Sequence, residues 1–294
     1  MDKYQQMFAD SKVATDDAAI SAAVKEILDK HLEENRKPEV LKRILNSIDL
    51  TTLKSTDSQR SVADFVEKVN AFDNDYPDLP NVAAICVYPN FVPIVRTVLD
   101  VSAVDIAAVA GSFPSAQTFI EVKIAEIALA VESGADEIDI VLPMGDFFDH
   151  DYEEVSDQIS EMKHACRNAL LKVILETGAL KSAENIRNAS ILALNAGADF
   201  LKTSTGKEYE GASLEAAYVM CQCIKEYYEK SGRMVGFKVS GGVSTTEQAL
   251  TYYTLVREIL GEEWVATNET FRIGASRLAN NVVDAITGSD IRPF

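Results

Sequence analysis

The stretch GADFLKTSTGK, residues 197–207, decides the fold. Its glycine closes a helical pattern that opens at Ser182, its middle reads as a short apolar strand, and its end is a loop of hydroxyls and glycine. A helix that stops at glycine and yields at once to a strand is one step of a strand–helix alternation. The same Gly-Ala-Asp step stands two units earlier, where Gly134 leads SGADEIDI into another strand. Working outward, short β-branched runs occupy SIDL (47–50), VAAICVY (82–88), IAAVAG (106–111), EIDIVL (137–142), LKVILE (171–176), DFLKTS (199–204), VGFKVS (235–240) and FRIGAS (271–276). From Asp139 to Lys172, Lys202 and Lys238 the steps are 33, 30 and 36 residues, each the length of one βαβ unit. Eight such units predict an α/β protein closed into a (β/α)8 barrel, and no GxGxxG follows the first strand to favour a dinucleotide fold. The helix that ends at Gly134 is expected to begin at a Ser115 cap.

Residues 1–45 stand outside this alternation as an N-terminal helical extension to a barrel spanning 46–294. Ile20, Val24, Ile27 and Leu28 fall on one helical face and Pro38 marks a helix start, which predicts helices packed on the barrel or on a neighbouring subunit.

The formal net charge of -18 argues against nucleic acid or an anionic membrane as partner, because both are bound through Lys and Arg. The N-terminus carries no apolar signal segment, no apolar run approaches a membrane span, and Cys86, Cys166, Cys221 and Cys223 lack zinc spacing. A reduced, cytoplasmic protein is expected. His31, His150 and His164 are scattered, DFFDHDYEEVSD lacks the glycine of an EF-hand, and no GxSxG elbow is present, so neither a metal site nor a serine hydrolase is expected.

Lys202 is the informative residue, because an unpaired ammonium in an apolar strand costs several kcal/mol. Side chains of one parity point into a barrel, and near the strand ends that set is Phe200, Lys202 and Ser204, with Lys172 and Lys238 on the neighbouring strands and Asp139 on the fourth. A second ammonium and partial desolvation both lower a lysine pKa and free the amine to attack a carbonyl, while an aspartate moves protons. Lysine beside lysine beside aspartate therefore fits an imine-forming enzyme. A structural ion-pair network drawing on Glu137, Asp139 and Glu176 is the competing reading. The loops TSTGK, Ser240-Gly241-Gly242 and Gly274-Ala275-Ser276 follow the last three strands, where barrels hold phosphate on backbone N–H groups and helix N-termini.

DLTTL (49–53), AAICVYP (83–89), GADEIDIVLP (134–143), LLKVILETG (170–178), GADFLKTSTGK (197–207), GFKVSGGV (236–243) and RIGAS (272–276) together resemble the 2-deoxyribose-5-phosphate aldolase family over residues 47–280. The resemblance implies a class I aldolase that needs no metal or organic cofactor and acts on a phosphosugar and acetaldehyde through a Schiff base on Lys202. It also implies that Lys238 perturbs that lysine, that Asp139 transfers protons and that Lys172 belongs to the same polar cluster. Substrate contacts by Asp49 and Thr51, proximity of Cys86, phosphate contacts by Gly206, Lys207, Gly241, Gly242 and Ser276, and a homodimer or higher homo-oligomer are implied likewise. The chain departs from the family's pattern at LPMGDFF, at KVSGG, at Arg277 where a second serine is common, and in a tail without the tyrosine some members use, so slower catalysis is expected. The alternatives are a barrel paralogue working as a protein-binding scaffold, through its acidic surface or N-terminal helices, and another Schiff-base barrel enzyme, such as a transaldolase-like or different phosphosugar aldolase.

Overall fold

Eight strands form in a computed structural model that describes residues 2–294: β1 (Ile48–Thr51), β2 (Ala84–Val87), β3 (Asp105–Val109), β4 (Glu137–Val141), β5 (Leu170–Ile174), β6 (Phe200–Lys202), β7 (Gly236–Ser240) and β8 (Phe271–Ala275). All pair in parallel and in sequence order, and β8 returns to β1, closing the expected barrel. The helices are α1 (Lys3–Asp10), α2 (Asp17–His31), α3 (Pro38–Asn46), α4 (Gln59–Asp75), α5 (Val92–Val98), α6 (Ile120–Glu132), α7 (Met144–Phe148), α8 (Tyr152–Ala165), α9 (Thr177–Leu180), α10 (Ala183–Asn195), α11 (Leu214–Ser231), α12 (Thr246–Leu260), α13 (Glu262–Val265) and α14 (Leu278–Thr287). Among the described residues, no helix is long and apolar enough to cross a membrane.

The repeated Gly-Ala-Asp step has a structural cause. Gly134 and Gly197 take φ of +103° and +104°, open to glycine and strained for other residues, and so turn the chain from α6 and α10 toward the next strand. Two residues on, the Asp136 carboxylate accepts the Ile106 N–H at 2.9 Å and the Asp199 carboxylate accepts the Leu171 N–H at 2.8 Å. Each aspartate thus pins the start of the preceding strand, and each is held by cations, Arg96 on Asp136 at 2.6 Å and Lys163 and Arg233 on Asp199 at 2.5 and 2.7 Å. Ser182 caps α10 as expected, accepting the Asn185 N–H at 3.1 Å. Ser115 does not cap α6: the helix starts at Ile120, with Phe119 in the cap position and no side-chain bond. Positive φ at Ser112 and Ala116 turns the chain into a loop through Ser115 instead.

The two strand parities have opposite chemistry. Outward residues such as Ile85, Ile138, Ile140, Val173, Leu201, Phe237, Val239 and Ile273 join the helices in one continuous, fully buried apolar layer. Burial of each such side chain is worth about 1.5–3 kcal/mol. Inward residues split into two small apolar groups, one around Cys86 and one around Val141 and Ile174, with an ionic layer between the remaining strands.

The N-terminal helices join the same apolar layer through Ile20, Val24, Ile44 and Leu45, with Ile27 and Leu28 partly buried against it. Polar contacts fix them to the barrel's own helices: Ser11 donates to Glu226 at 2.7 Å, Asn35 to Thr254 at 3.0 Å, and Arg36 forks onto Glu247 at 2.6 Å through both terminal nitrogens.

Inside the barrel Gly236 lies against Phe200, and any Cβ there would strike the ring. Gly236→Ala is therefore expected to cost about 1–3 kcal/mol from overpacking, read as a lowered urea midpoint; an unchanged midpoint would mean that Phe200 moves freely.

Candidate active site

Register and parity together assemble the interior charges. Asp139 pairs with Lys172 across β4 and β5, and Lys202 pairs with Lys238 across β6 and β7, so four inward side chains meet near one level of the barrel. Asp139 is their common partner. Its Oδ2 accepts from Lys202 at 2.8 Å and from Lys238 at 2.7 Å, while Oδ1 accepts from Lys172 at 3.1 Å. Lys172 also pairs with Glu137 and Lys238 with Asp49, and beneath them Arg272 bridges Asp49 and Glu137 at 2.8 Å each. Phe200 supplies an aromatic face to Lys172 and Arg272.

These seven charged side chains are almost wholly excluded from water. Asp49, Glu137 and Asp139 face Lys172, Lys202, Lys238 and Arg272, three carboxylates against four cations, so the set is neutral when one lysine has lost its proton. A fourth carboxylate, Asp105, lies half exposed at the other end of the barrel, 3.6 Å from Arg272. Lys202 is the lysine suited to lose the proton. Burial pulls its pKa below the ordinary value and the Lys238 charge adds to this, against a single opposing carboxylate, Asp139. Burial acts on Lys172 and Lys238 in the same direction, but each has two close carboxylates that hold its pKa above the ordinary value. For Asp139 the order is reversed: burial favours the neutral acid, and three ammonium groups overcome it and keep the carboxyl well below its usual range.

Above this layer the loops enclose a cleft of about 520 Å³. Lys202 lines it; Lys172, Lys238, Asp139 and Asp49 lie below. The other walls include Thr51 from β1, Gly206 and Lys207 after β6, Gly241 and Gly242 after β7, and Ser276 after β8. Thr51 donates its hydroxyl to the Asp49 carbonyl at 2.8 Å, and Lys207 reaches over to the Leu53 carbonyl at 2.5 Å. Cys86 does not line the cleft but packs with Ala84, Ala107 and Val109 near enough to Lys202 and Lys238 to feel their charges, and burial raises its thiol pKa. Asp49 is an ion-pair partner of Lys238 and Arg272 and does not line the cleft.

The loop after β6 is braced from β5. Glu176, buried and in the left-handed region at φ 56°, accepts the Thr205 N–H at 3.2 Å and the Thr205 hydroxyl, and that hydroxyl accepts the Lys207 N–H at 3.2 Å. Glu176 therefore does not neutralise a lysine directly, contrary to the competing reading from sequence. Ser204 leaves the inward set because β6 ends at Lys202; its side chain packs toward Gly241.

A family model described as DeoC/LacD family aldolase matches residues 43–257. The chain belongs to that aldolase family. A mouse deoxyribose-phosphate aldolase is 36% identical over 287 residues, covering 92% of this chain and 89% of the mouse protein. A human deoxyribose-phosphate aldolase is 37% identical over 256 residues, covering 82% and 79%. Among solved structures, the deoxyribose phosphate aldolase of Aeropyrum pernix, described as tetrameric, superposes with a TM-score of 0.69 over 90% of this chain and 99% of that one, at 22% identity, which speaks to fold alone.

In this aldolase, Thr205 and Arg272 belong to the site's framework without being expected from sequence, and Glu137 and Glu176 belong to it although sequence offers them only as ion-pair partners of the lysines, a role that Glu137 fills toward Lys172. Glu137 shares the parity of Asp139, and Arg272 shares that of Ser276, so alternation was the available signal. Thr205 and Glu176 are joined only by the tertiary fold. Among the described residues, three metal-ligating side chains converge only at His31, Glu34 and Glu258, on the outer helical layer, where Arg257 pairs with both glutamates.

Removing one member of the buried network strands its partners. Arg272→Met is expected to destabilise the aldolase by about 3–5 kcal/mol, measured by urea unfolding; a loss below about 1 kcal/mol would mean that Glu137 and Asp49 are satisfied by the lysines alone.

Proposed function

We propose that the protein reversibly cleaves 2-deoxy-D-ribose 5-phosphate to D-glyceraldehyde 3-phosphate and acetaldehyde through a Schiff base on Lys202. The observation that carries this reading is that Lys202, alone of the three clustered lysines, lines the cleft, and it shares one oxygen of Asp139 with Lys238. The names of the mouse and human relatives support the choice of sugar.

In the cleavage direction, the neutral amine of Lys202 adds to the aldehyde carbon of the open-chain sugar. Loss of water from the carbinolamine gives the protonated imine, which withdraws electrons from the bond between the second and third carbons. As the third-carbon hydroxyl gives up its proton, that bond breaks. Its electrons pass into an enamine on Lys202, and glyceraldehyde 3-phosphate departs. Protonation of the enamine carbon and hydrolysis of the imine release acetaldehyde and regenerate the amine. Asp139, a carboxylate in contact with Lys202, serves these proton transfers directly or through water. Lys238 keeps a positive charge beside Lys202 without competing as nucleophile, because its own pKa is raised. Gly206, Lys207, Gly241, Gly242 and Ser276 hold the phosphate at the far side of the cleft.

Borohydride reduction in the presence of acetaldehyde is expected to leave an ethyl group on Lys202, found by peptide mass spectrometry. Lys202→Met is expected to lose both the adduct and cleavage of deoxyribose 5-phosphate, and Asp139→Asn to lower kcat about 10²–10⁴-fold. An adduct elsewhere, or cleavage persisting in Lys202→Met, would overturn the reading.

The sign of the pH response follows from the same lysine. Its free-amine fraction grows as pH rises through a pKa lowered first by burial and then by Lys238. kcat/KM is therefore expected to rise with pH and level off below the ordinary lysine range. Lys238→Gln removes a charge that disfavours protonated Lys202, so the rising limb of the profile moves to higher pH; a limb that stays in place would remove Lys238 from that role.

A further inference from the structure

The cleft is charged in one sense only. Lys54, Lys202, Lys207 and Arg277 line it and no carboxylate does, on a chain with 46 acidic and 28 basic residues. Lys202 is engaged by Asp139 and Lys207 by the Leu53 carbonyl. Among the described residues Lys54 and Arg277 make no such side-chain contact, and of the two Arg277 is the one that carries a guanidinium. It is exposed, stands at the cap position of α14 directly after Ser276, and makes no side-chain hydrogen bond or ion pair among the described residues. Apart from Arg60 on α4, every other arginine here has a carboxylate partner, among them Arg36, Arg43, Arg96, Arg233 and Arg257. An unpaired guanidinium in an acidic protein, beside backbone N–H groups at Gly241, Gly242 and a helix N-terminus, is a position prepared for an anion that comes from outside.

We infer that Arg277 binds the phosphate of the substrate and sets this aldolase's preference for phosphorylated over unphosphorylated sugars. For the sugar the inference rests on the function proposed above; for the anion it rests on the cleft itself. The planar guanidinium presents paired N–H donors that match two phosphate oxygens. Together with Lys207, on the loop after β6, it brackets the Gly241-Gly242 turn after β7 from both neighbouring loops. The phosphate is then held by side-chain charge as well as by backbone N–H groups.

The test compares wild type with Arg277→Ser and Arg277→Lys. Serine removes the charge and can still cap α14, so matching thermal melts by circular dichroism are expected. The ratio of kcat/KM for 2-deoxyribose 5-phosphate to that for 2-deoxyribose is expected to fall about tenfold to a hundredfold in Arg277→Ser, carried by KM rather than kcat, with part of the loss recovered in Arg277→Lys. Inorganic phosphate, titrated calorimetrically, is expected to bind Arg277→Ser more weakly by a similar factor. An unchanged ratio with unchanged phosphate affinity would overturn the role of Arg277. If wild type cleaves neither sugar, the proposed reaction fails, and the phosphate titration alone then decides: weaker binding to Arg277→Ser upholds the anion site, and equal binding overturns it.

Discussion

One carboxylate that must hold three ammonium groups in a dry barrel governs the rest of the site. Asp139 has two oxygens for Lys172, Lys202 and Lys238, and so cannot neutralise all three by itself. The imbalance is resolved unequally. Lys172 gains Glu137, Lys238 gains Asp49, and Arg272 ties those two acids together from below, whereas Lys202 is left with Asp139 only. That Lys202 alone has its pKa lowered follows from how partners are distributed, since all three lysines are comparably buried. Each carboxylate oxygen of Asp49, Glu137 and Asp139 accepts from at least one of the four cations, so no buried acid atom is left unpaired.

The barrel keeps folding and chemistry on opposite strand parities. Outward residues build the apolar layer with the helices, and inward residues carry the charges. Strand alternation gives this division with no extra device: the residue after Asp139 is Ile140 and the residue after Lys238 is Val239, both in the outer layer. The loops add a second level of order. Glu176 after β5 holds Thr205 after β6, and Thr205 holds the Lys207 backbone, so one wall of the cleft is set by its neighbour.

Much of this was legible in the sequence, and the exceptions have physical causes. All eight strands were readable because each is a short β-branched run closed by turn residues, and the Gly-Ala-Asp echo marked real strand-pinning aspartates. Lys172, Lys202, Lys238 and Asp139 were readable together because parity and unit spacing fix which residues share the interior. The start of α6 was misplaced because Ser115 looks like a cap in sequence, while the left-handed turns at Ser112 and Ala116 that carry it into a loop leave no compositional mark there. Glu176 was assigned to the lysines on charge alone; its actual partner, Thr205, is a neutral residue 29 positions away, and only the meeting of two loops selects it.

The all-cationic lining of the cleft has a consequence for how an anionic substrate arrives. At low ionic strength such a molecule meets, well away from the surface, the field of a protein with net charge -18 and is repelled. Within about 8 Å at physiological ionic strength, the screening length, it meets only the local lysines and arginine and is drawn in. Encounter and capture are thus opposed electrostatically. Added salt relaxes the long-range repulsion and weakens the short-range grip, so association becomes less hindered while residence in the cleft becomes shorter.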